Sequence, residues 1–139
     1  MDEMPDLQQG LDGYRHNILE LIHLAKEHHV HLLFMTQPSL VKPNMSQEEI
    51  DRIWAGHLGN PVLNAYWSIR VRSIISAAYN RLVLETCREK GIDCIDLASN
   101  LPRTPAVFWD HGHFTDYGSS LVADELVRYF NDYFGKTKE

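Results

Sequence analysis

Two short and almost wholly apolar runs constrain the fold of this chain most strongly. The first, residues 30–36 (VHLLFMT), is ended by Gln37 and Pro38, and the second is residues 92–97 (IDCIDL). A short apolar run bounded by chain-breaking residues is typical of a strand that is buried on both faces of a parallel sheet. Each run follows a segment with helical periodicity, which is the order of an α/β crossover.

Helical periodicity and capping signals predict four helices around these strands. The capping box at residues 46–49 (SQEE) predicts a short helix over residues 47–55, and the third helix ends at Lys90 with the usual glycine stop. The last helix begins at Thr115 or Asp116. The first, third and last helices have their apolar faces at Tyr14, Ile18, Leu21, Ile22 and Ala25, at Val71, Ile74, Ile75, Ala78 and Leu82, and at Val122, Leu126, Tyr129, Phe130 and Tyr133.

The predicted order is helix, strand, helix, helix, strand, helix, and we predict a single α/β domain over residues 1–139. A chain of this length can bury a hydrophobic core. With only two strands, both outer edges of the sheet are open and carry unpaired backbone groups. The chain therefore looks like half of a doubly wound domain.

Composition excludes several classes of protein. Apolar residues make up 44% and charged residues 23%, which is typical of a globular chain. The formal charge of −6, without a cluster of Lys and Arg, argues against a nucleic-acid partner. No apolar run approaches the roughly 20 residues that a membrane span needs. The acidic start lacks the features of a signal peptide, and the compartment stays unassigned. Cys87 and Cys94 are predicted to be two buried free thiols.

The clearest chemical signal lies in residues 108–120 (FWDHGHFTDYGSS). Asp110 and His113 are three residues apart in a predicted loop, so the carboxylate can accept the imidazole Nδ1–H and leave Nε2 as a base. Gly112 lets the turn close, and Thr115 can cap the helix that follows. An imidazole held in this way is the base that a serine nucleophile needs.

Two other interpretations of this loop are open. An Asp before a helix is often a capping residue and a loop His is often solvated, and on the Asp-x-x-His spacing alone this interpretation leads. Asp110, His111 and His113 could also offer three metal ligands. A metal site is disfavoured, because the other histidines, His28, His29 and His31, straddle a helix end and form no cluster at helical spacing.

The whole C-terminal run, residues 110–118 (DHGHFTDYG) followed by SSLVADEL, resembles the last block of the SGNH (GDSL-type) hydrolases. In that family an Asp-x-x-His pair precedes the final helix. The strand that ends in MTQP resembles the family's fourth strand with its exit loop, and residues 88–97 resemble its passage from helix to fifth strand. The resemblance implies the C-terminal part of a flavodoxin-like three-layer parallel sheet with helices on both faces, without the N-terminal part that carries the nucleophile.

The same resemblance implies a serine ester hydrolase in which His113 is the general base and Asp110 orients it. It implies no cofactor and no metal, and the substrate is a small ester or an acylated glycan. The family's Gly-Asp-Ser motif and its oxyanion-hole Gly and Asn have no counterpart in this sequence. The chain is therefore expected to supply the Asp–His half of the site and to be inactive alone.

Local serines are poor substitutes for the missing nucleophile. Ser39 follows the first predicted strand, but Pro38 and the irregular loop around it do not form a strand-to-helix elbow. Ser119 and Ser120 are predicted to be first-turn helix residues.

A second class of function stays open beside the hydrolase. A non-catalytic α/β remnant would bind or assemble by pairing its exposed strand edge with another copy or another chain. Trp54, Tyr66 and Trp67 could line an acyl or sugar pocket, although packing is the favoured interpretation of these aromatic residues.

Overall fold

A computed structural model describes residues 2–53 and 67–136 of the chain. The two strands pair in parallel, with Leu33 opposite Asp93 and Met35 opposite Ile95. The elements in chain order are α1 (Gln8–Glu27), β1 (Leu33–Met35), α2 (Gln47–Asp51), α3 (Ile69–Lys90), β2 (Asp93–Ile95), α4 (Leu97–Asn100) and α5 (Asp116–Lys136).

The predicted three-layer parallel sheet with helices on both faces is wrong for the described part of the chain. Helices hold 59% of these residues, and the sheet is one pair of strands with three residues each. Side chains bind the backbone just beyond the end of each strand. Asn80 accepts the Gln37 N–H and donates to the Gln37 carbonyl oxygen, each at 2.8 Å, and the Asp96 carboxylate accepts from the Ser99 N–H to start α4.

The hydrophobic core is built where helices cover this strand pair. Ile18 and Ile22 of α1 pack with Val83 and Cys87 of α3, and Phe34 of β1 lies against this cluster. Side chains alternate between the two faces of a strand, so neighbouring positions of β1 serve different clusters. The second cluster joins the end of β2 to α5, and its members are Ile95, Leu97, Leu101, Leu33, Phe114, Leu121, Val122, Leu126 and Tyr129.

Cys87 and Cys94 form a disulfide, so the prediction of two free thiols is wrong. The helix α3 ends at Lys90 and is followed by Gly91, which has a left-handed φ of 63° that glycine adopts without steric cost. This turn brings β2 back beside the end of the helix and places the two cysteine Cα atoms 6.3 Å apart, within the range of a disulfide. The disulfide depends on this reversal of the chain, which the spacing of the two cysteines in the sequence does not show.

Helix ends follow the predicted capping chemistry where they are described. The Ser46 hydroxyl accepts from the Glu49 N–H while the Glu49 carboxylate accepts from the Ser46 N–H, which is the predicted capping box. The described helix α2 ends at Asp51, and the predicted continuation to residue 55 falls largely outside the described residues. Trp54 and Tyr66 also lie outside them, and Trp67 is partly exposed.

Candidate active site

The loop that holds Asp110 and His113 is closed by a short antiparallel bridge. Phe108 and Phe114 pair across it, and the Trp109 N–H donates to the His113 carbonyl oxygen at 2.8 Å. The Phe108 side chain is fully buried and its ring lies 5.2 Å from that of Phe114, centroid to centroid. Both ends of the loop are therefore anchored in the hydrophobic core.

The start of α5 fixes the far side of the loop. The Thr115 hydroxyl donates to the Ala106 carbonyl oxygen at 2.6 Å and accepts from the Gly118 N–H at 3.0 Å, so Thr115 caps the helix as predicted. A Cβ on Gly118 would lie 2.2 Å from the Val107 carbonyl oxygen. The helix can approach this backbone only because residue 118 has no side chain. The sequence signal for this contact is a glycine in the first turn of a helix, where glycine is otherwise unfavourable.

Hydrogen bonds join the Asp–His loop to the segment that follows β1. The Ser39 hydroxyl donates to the His111 carbonyl oxygen at 2.6 Å, and the Leu40 N–H donates to the same oxygen at 3.1 Å. The Ser39 oxygen also accepts from the Val41 N–H at 3.1 Å. Since its hydrogen is donated to a carbonyl oxygen, Ser39 serves as a tie between the two loops and is not activated by an imidazole.

Asp110 and His113 are in direct contact. Oδ2 of Asp110 lies 2.7 Å from Nδ1 of His113, and Oδ1 accepts from the backbone N–H groups of Gly112 at 2.8 Å and of His113 at 2.9 Å. Asp110 is buried, with 3% of its surface exposed. Three hydrogen bonds therefore fix both carboxylate oxygens within one short turn.

These contacts determine the charge state of Asp110. Burial alone raises the pKa of a carboxyl group, but here the hydrogen bonds from the Gly112 and His113 N–H groups and from the His113 ring outweigh it, with a further contribution from His111. The pKa of Asp110 falls from 3.8 to about 2. An ionised carboxylate only accepts hydrogen bonds, so Nδ1 of His113 carries the hydrogen and neutral His113 has its lone pair on Nε2.

The Nε2 side of His113 is open. The His113 side chain is 77% exposed, and within residues 2–53 and 67–136 no hydroxyl group hydrogen-bonds to Nε2. Ser119 is exposed on α5, and the Ser120 hydroxyl donates to the Tyr117 carbonyl oxygen at 2.7 Å. The structure thus brings together the two predicted catalytic residues and, among the described residues, places no serine on the base.

A third residue of the loop, His111, lies against the same carboxylate. Its Nδ1 is 3.7 Å from Oδ1 of Asp110, is buried, and has no hydrogen-bond partner among the described residues. The ring centroids of His111 and His113 are 6.4 Å apart. Sequence reasoning considered His111 only as a metal ligand and missed its position beside the pair.

The described residues contain no group of three His, Cys, Asp or Glu side chains that could hold a metal ion. Both oxygens of Asp110 accept hydrogen bonds from within the loop. Of the three histidines at residues 28, 29 and 31, His31 contacts Tyr129, and its Nε2 lies 2.5 Å from the phenol oxygen. The same Nε2 lies 3.3 Å from Oδ2 of Asp93.

Comparisons of the chain with protein-family models, with curated proteins and with solved structures found no match. Of the helices in the described residues, none combines the length and the apolar character that crossing a membrane requires.

Proposed function

We propose that this chain is the C-terminal part of an SGNH-type serine ester hydrolase and supplies the Asp110–His113 half of its catalytic apparatus. The observation that carries the proposal is the 2.7 Å contact between Asp110 Oδ2 and His113 Nδ1, combined with an exposed imidazole. The run of residues 110–118, which resembles the last block of that family, supports the same assignment.

The chemistry follows from this geometry. His113 Nε2 accepts the hydroxyl proton of a serine supplied from outside residues 1–139 while the serine oxygen attacks an ester carbonyl carbon. The ionised Asp110 stabilises the imidazolium that forms and keeps its ring in place. His113 then gives the proton to the departing alcohol, and a water molecule, deprotonated by the same Nε2, releases the acid from the acyl-enzyme. Backbone or amide donors outside this chain hold the oxyanion.

The test compares hydrolysis of an activated short-chain ester by this chain alone and by the protein that its complete reading frame encodes. We expect no His113-dependent rate from the chain alone and a clear rate from the complete protein. Replacement His113→Ala should lower kcat of the complete protein by at least about 10³-fold. His23→Ala is the matched control, because His23 is a surface residue of α1 with a 72% exposed side chain.

Two results overturn the proposal. One is a complete protein whose ester hydrolysis is equal with and without the His113 imidazole. The other is a complete protein that contains no reactive serine, as judged by failure to react with a fluorophosphonate.

A binding or assembly module is the second candidate, and the sheet favours it. Within the described residues, β1 and β2 pair only with each other, so each strand has one open edge, and Met35 of β1 is 42% exposed. Such an edge can pair with another strand. This candidate predicts a dimer that persists on dilution in sedimentation experiments and that is unchanged by Asp110→Asn and His113→Ala. A monomer at all concentrations contradicts it.

A further inference from the structure

The ring of His111 lies beside the Asp110 carboxylate, although the mechanism proposed above does not use it. The backbone of His111 is fixed from outside the loop, because its carbonyl oxygen accepts hydrogen bonds from the Ser39 hydroxyl at 2.6 Å and from the Leu40 N–H at 3.1 Å. The side chain itself is 26% exposed. The segment that follows β1 therefore holds residue 111 against the Asp–His pair.

Nδ1 of His111 is a buried polar atom next to an ionised group. It lies 3.7 Å from Oδ1 of Asp110, which is longer than a hydrogen bond, and it has no hydrogen-bond partner among the described residues. A lone pair on Nδ1 would be repelled by the charged oxygen, whereas a hydrogen there is attracted to it. The neutral tautomer with the hydrogen on Nδ1 is therefore favoured, and this attraction offsets part of the cost of burying the atom.

The two oxygens of the Asp110 carboxylate have different partners. Oδ1 accepts from the backbone N–H groups of Gly112 at 2.8 Å and of His113 at 2.9 Å, and His111 lies beside this same oxygen. Oδ2 lies 2.7 Å from Nδ1 of His113 and accepts its hydrogen. Since a carboxylate turns as one planar unit, each group that holds Oδ1 also keeps Oδ2 directed at the His113 ring. His111 can therefore act on the base through Asp110.

The charged and titratable groups near His111 come from its own loop and from α3. The loop contributes Asp110 and His113, and Arg72 of α3 lines the same cavity beside the loop as His111 does. The residues that the segment after β1 adds to this cavity have no titratable side chain, and they are Gln37, Pro38, Ser39 and Val41. Of these groups, Asp110 is the one whose charge attracts a hydrogen on Nδ1.

We propose that His111 is a positioning residue of the Asp110–His113 pair, whose Nδ1–H holds the carboxylate so that Oδ2 stays directed at His113. Its importance for catalysis rests on the proposed function, whereas its action on Asp110 does not. Two substitutions separate this role from packing. His111→Leu keeps an apolar body and removes the hydrogen, and His111→Asn supplies a neutral N–H donor near the position of Nδ1.

The first test uses the purified chain and NMR. Nitrogen-15 shifts of the parent should show the hydrogen of neutral His111 on Nδ1. His111→Leu should raise the pKa of Asp110 above about 2, read from its carboxyl carbon-13 shift, and the backbone hydrogen bonds should keep it below 3.8. His23→Leu is the matched control and should not change the titration of Asp110, because His23 is a 72% exposed residue of α1.

The second test uses the complete protein and its ester hydrolysis at neutral pH. His111→Leu should lower kcat by about 2- to 10-fold with little change in KM, which is the size expected from one weak polar contact. His111→Asn should restore most of this loss. If His111 only fills space, Asn is no better than Leu, and that result overturns the proposal.

Two further results, both read in the chain alone, overturn it as well. One is a neutral His111 in the parent that carries its hydrogen on Nε2. The other is an Asp110 that titrates alike in the parent and in His111→Leu, and the nitrogen-15 measurement on the parent decides the matter if that variant does not fold. Neither readout depends on hydrolysis. A protein without esterase activity that meets both NMR expectations therefore contradicts only the hydrolase.

Discussion

Gly118 of α5 approaches the Val107 carbonyl oxygen so closely that a Cβ at residue 118 would lie 2.2 Å from that oxygen. This contact fixes the helix against the segment that leads into the Asp–His loop. The position of His113 therefore depends on a residue five positions further along the chain, which carries no chemistry itself.

Gly118→Ala should destabilise the protein, because the methyl group meets backbone atoms that cannot move aside freely. We expect a loss of about 1–3 kcal/mol in the free energy of unfolding, measured by denaturant titration. Gly13→Ala is the control, since a Cβ at that exposed position of α1 meets nothing within 4 Å, and it should stabilise by about 0.5–1 kcal/mol. Equal effects of the two variants would contradict the close approach.

The Asp110 carboxyl group should make the stability of the protein depend on pH. Its folded-state pKa of about 2 lies below the ordinary value of 3.8, so the stabilisation is complete above the ordinary value and is lost as the pH falls through the folded-state value. The shift corresponds to about 2 kcal/mol at neutral pH. Asp110→Asn should lower stability by a similar amount and remove this part of the pH dependence. Unfolding measured at about pH 7 and about pH 2.5 tests it.

Asp124→Asn is the control for that experiment, because it removes the same charge from an exposed aspartate of α5. It should retain the loss of stability between the two pH values. A parent protein and an Asp110→Asn variant with the same pH dependence would contradict the hydrogen-bonded carboxylate.

The disulfide between Cys87 and Cys94 should contribute to stability, because it closes a loop over a sequence separation of seven residues in the unfolded chain. We expect reduction to lower the free energy of unfolding by about 2 kcal/mol. The measurement is denaturant unfolding with and without a thiol reductant. The double variant Cys87→Ala and Cys94→Ala should show no response to reductant, and an equally insensitive parent protein would contradict the bond.

Sequence reasoning succeeded where the decisive interactions are local. The apolar spacing of α1 correctly predicts that Ile18 and Ile22 are buried, although Tyr14 and Leu21 of the same predicted face are exposed. The capping box at residues 46–49 predicts the start of α2. The Asp110–His113 contact belongs to the same class, because a separation of three residues in a tight turn brings the two side chains together. Each of these features depends on a few neighbouring residues.

The features that sequence reasoning missed depend on which distant segments meet. The pairing of Cys87 with Cys94 requires the left-handed turn at Gly91, and Asn80 of α3 binds the backbone of Gln37 just beyond β1, across a separation of 43 residues. A cavity beside the Asp–His loop is lined by Arg72 of α3, by Ser39 of the segment after β1 and by His111, so no single window of sequence shows it. Apolar runs of six or seven residues suggest longer strands than one pairing partner supports.

The most direct test of the central claim is the tautomer of neutral His113, read from the nitrogen-15 chemical shifts of its ring. The contact with Asp110 predicts a hydrogen on Nδ1 and a lone pair on Nε2, which is the state that a general base for serine needs. Asp110→Asn should lose this preference, while Asp124→Asn should keep it. A parent protein in which neutral His113 carries its hydrogen on Nε2 would contradict the proposal that this loop holds a catalytic base.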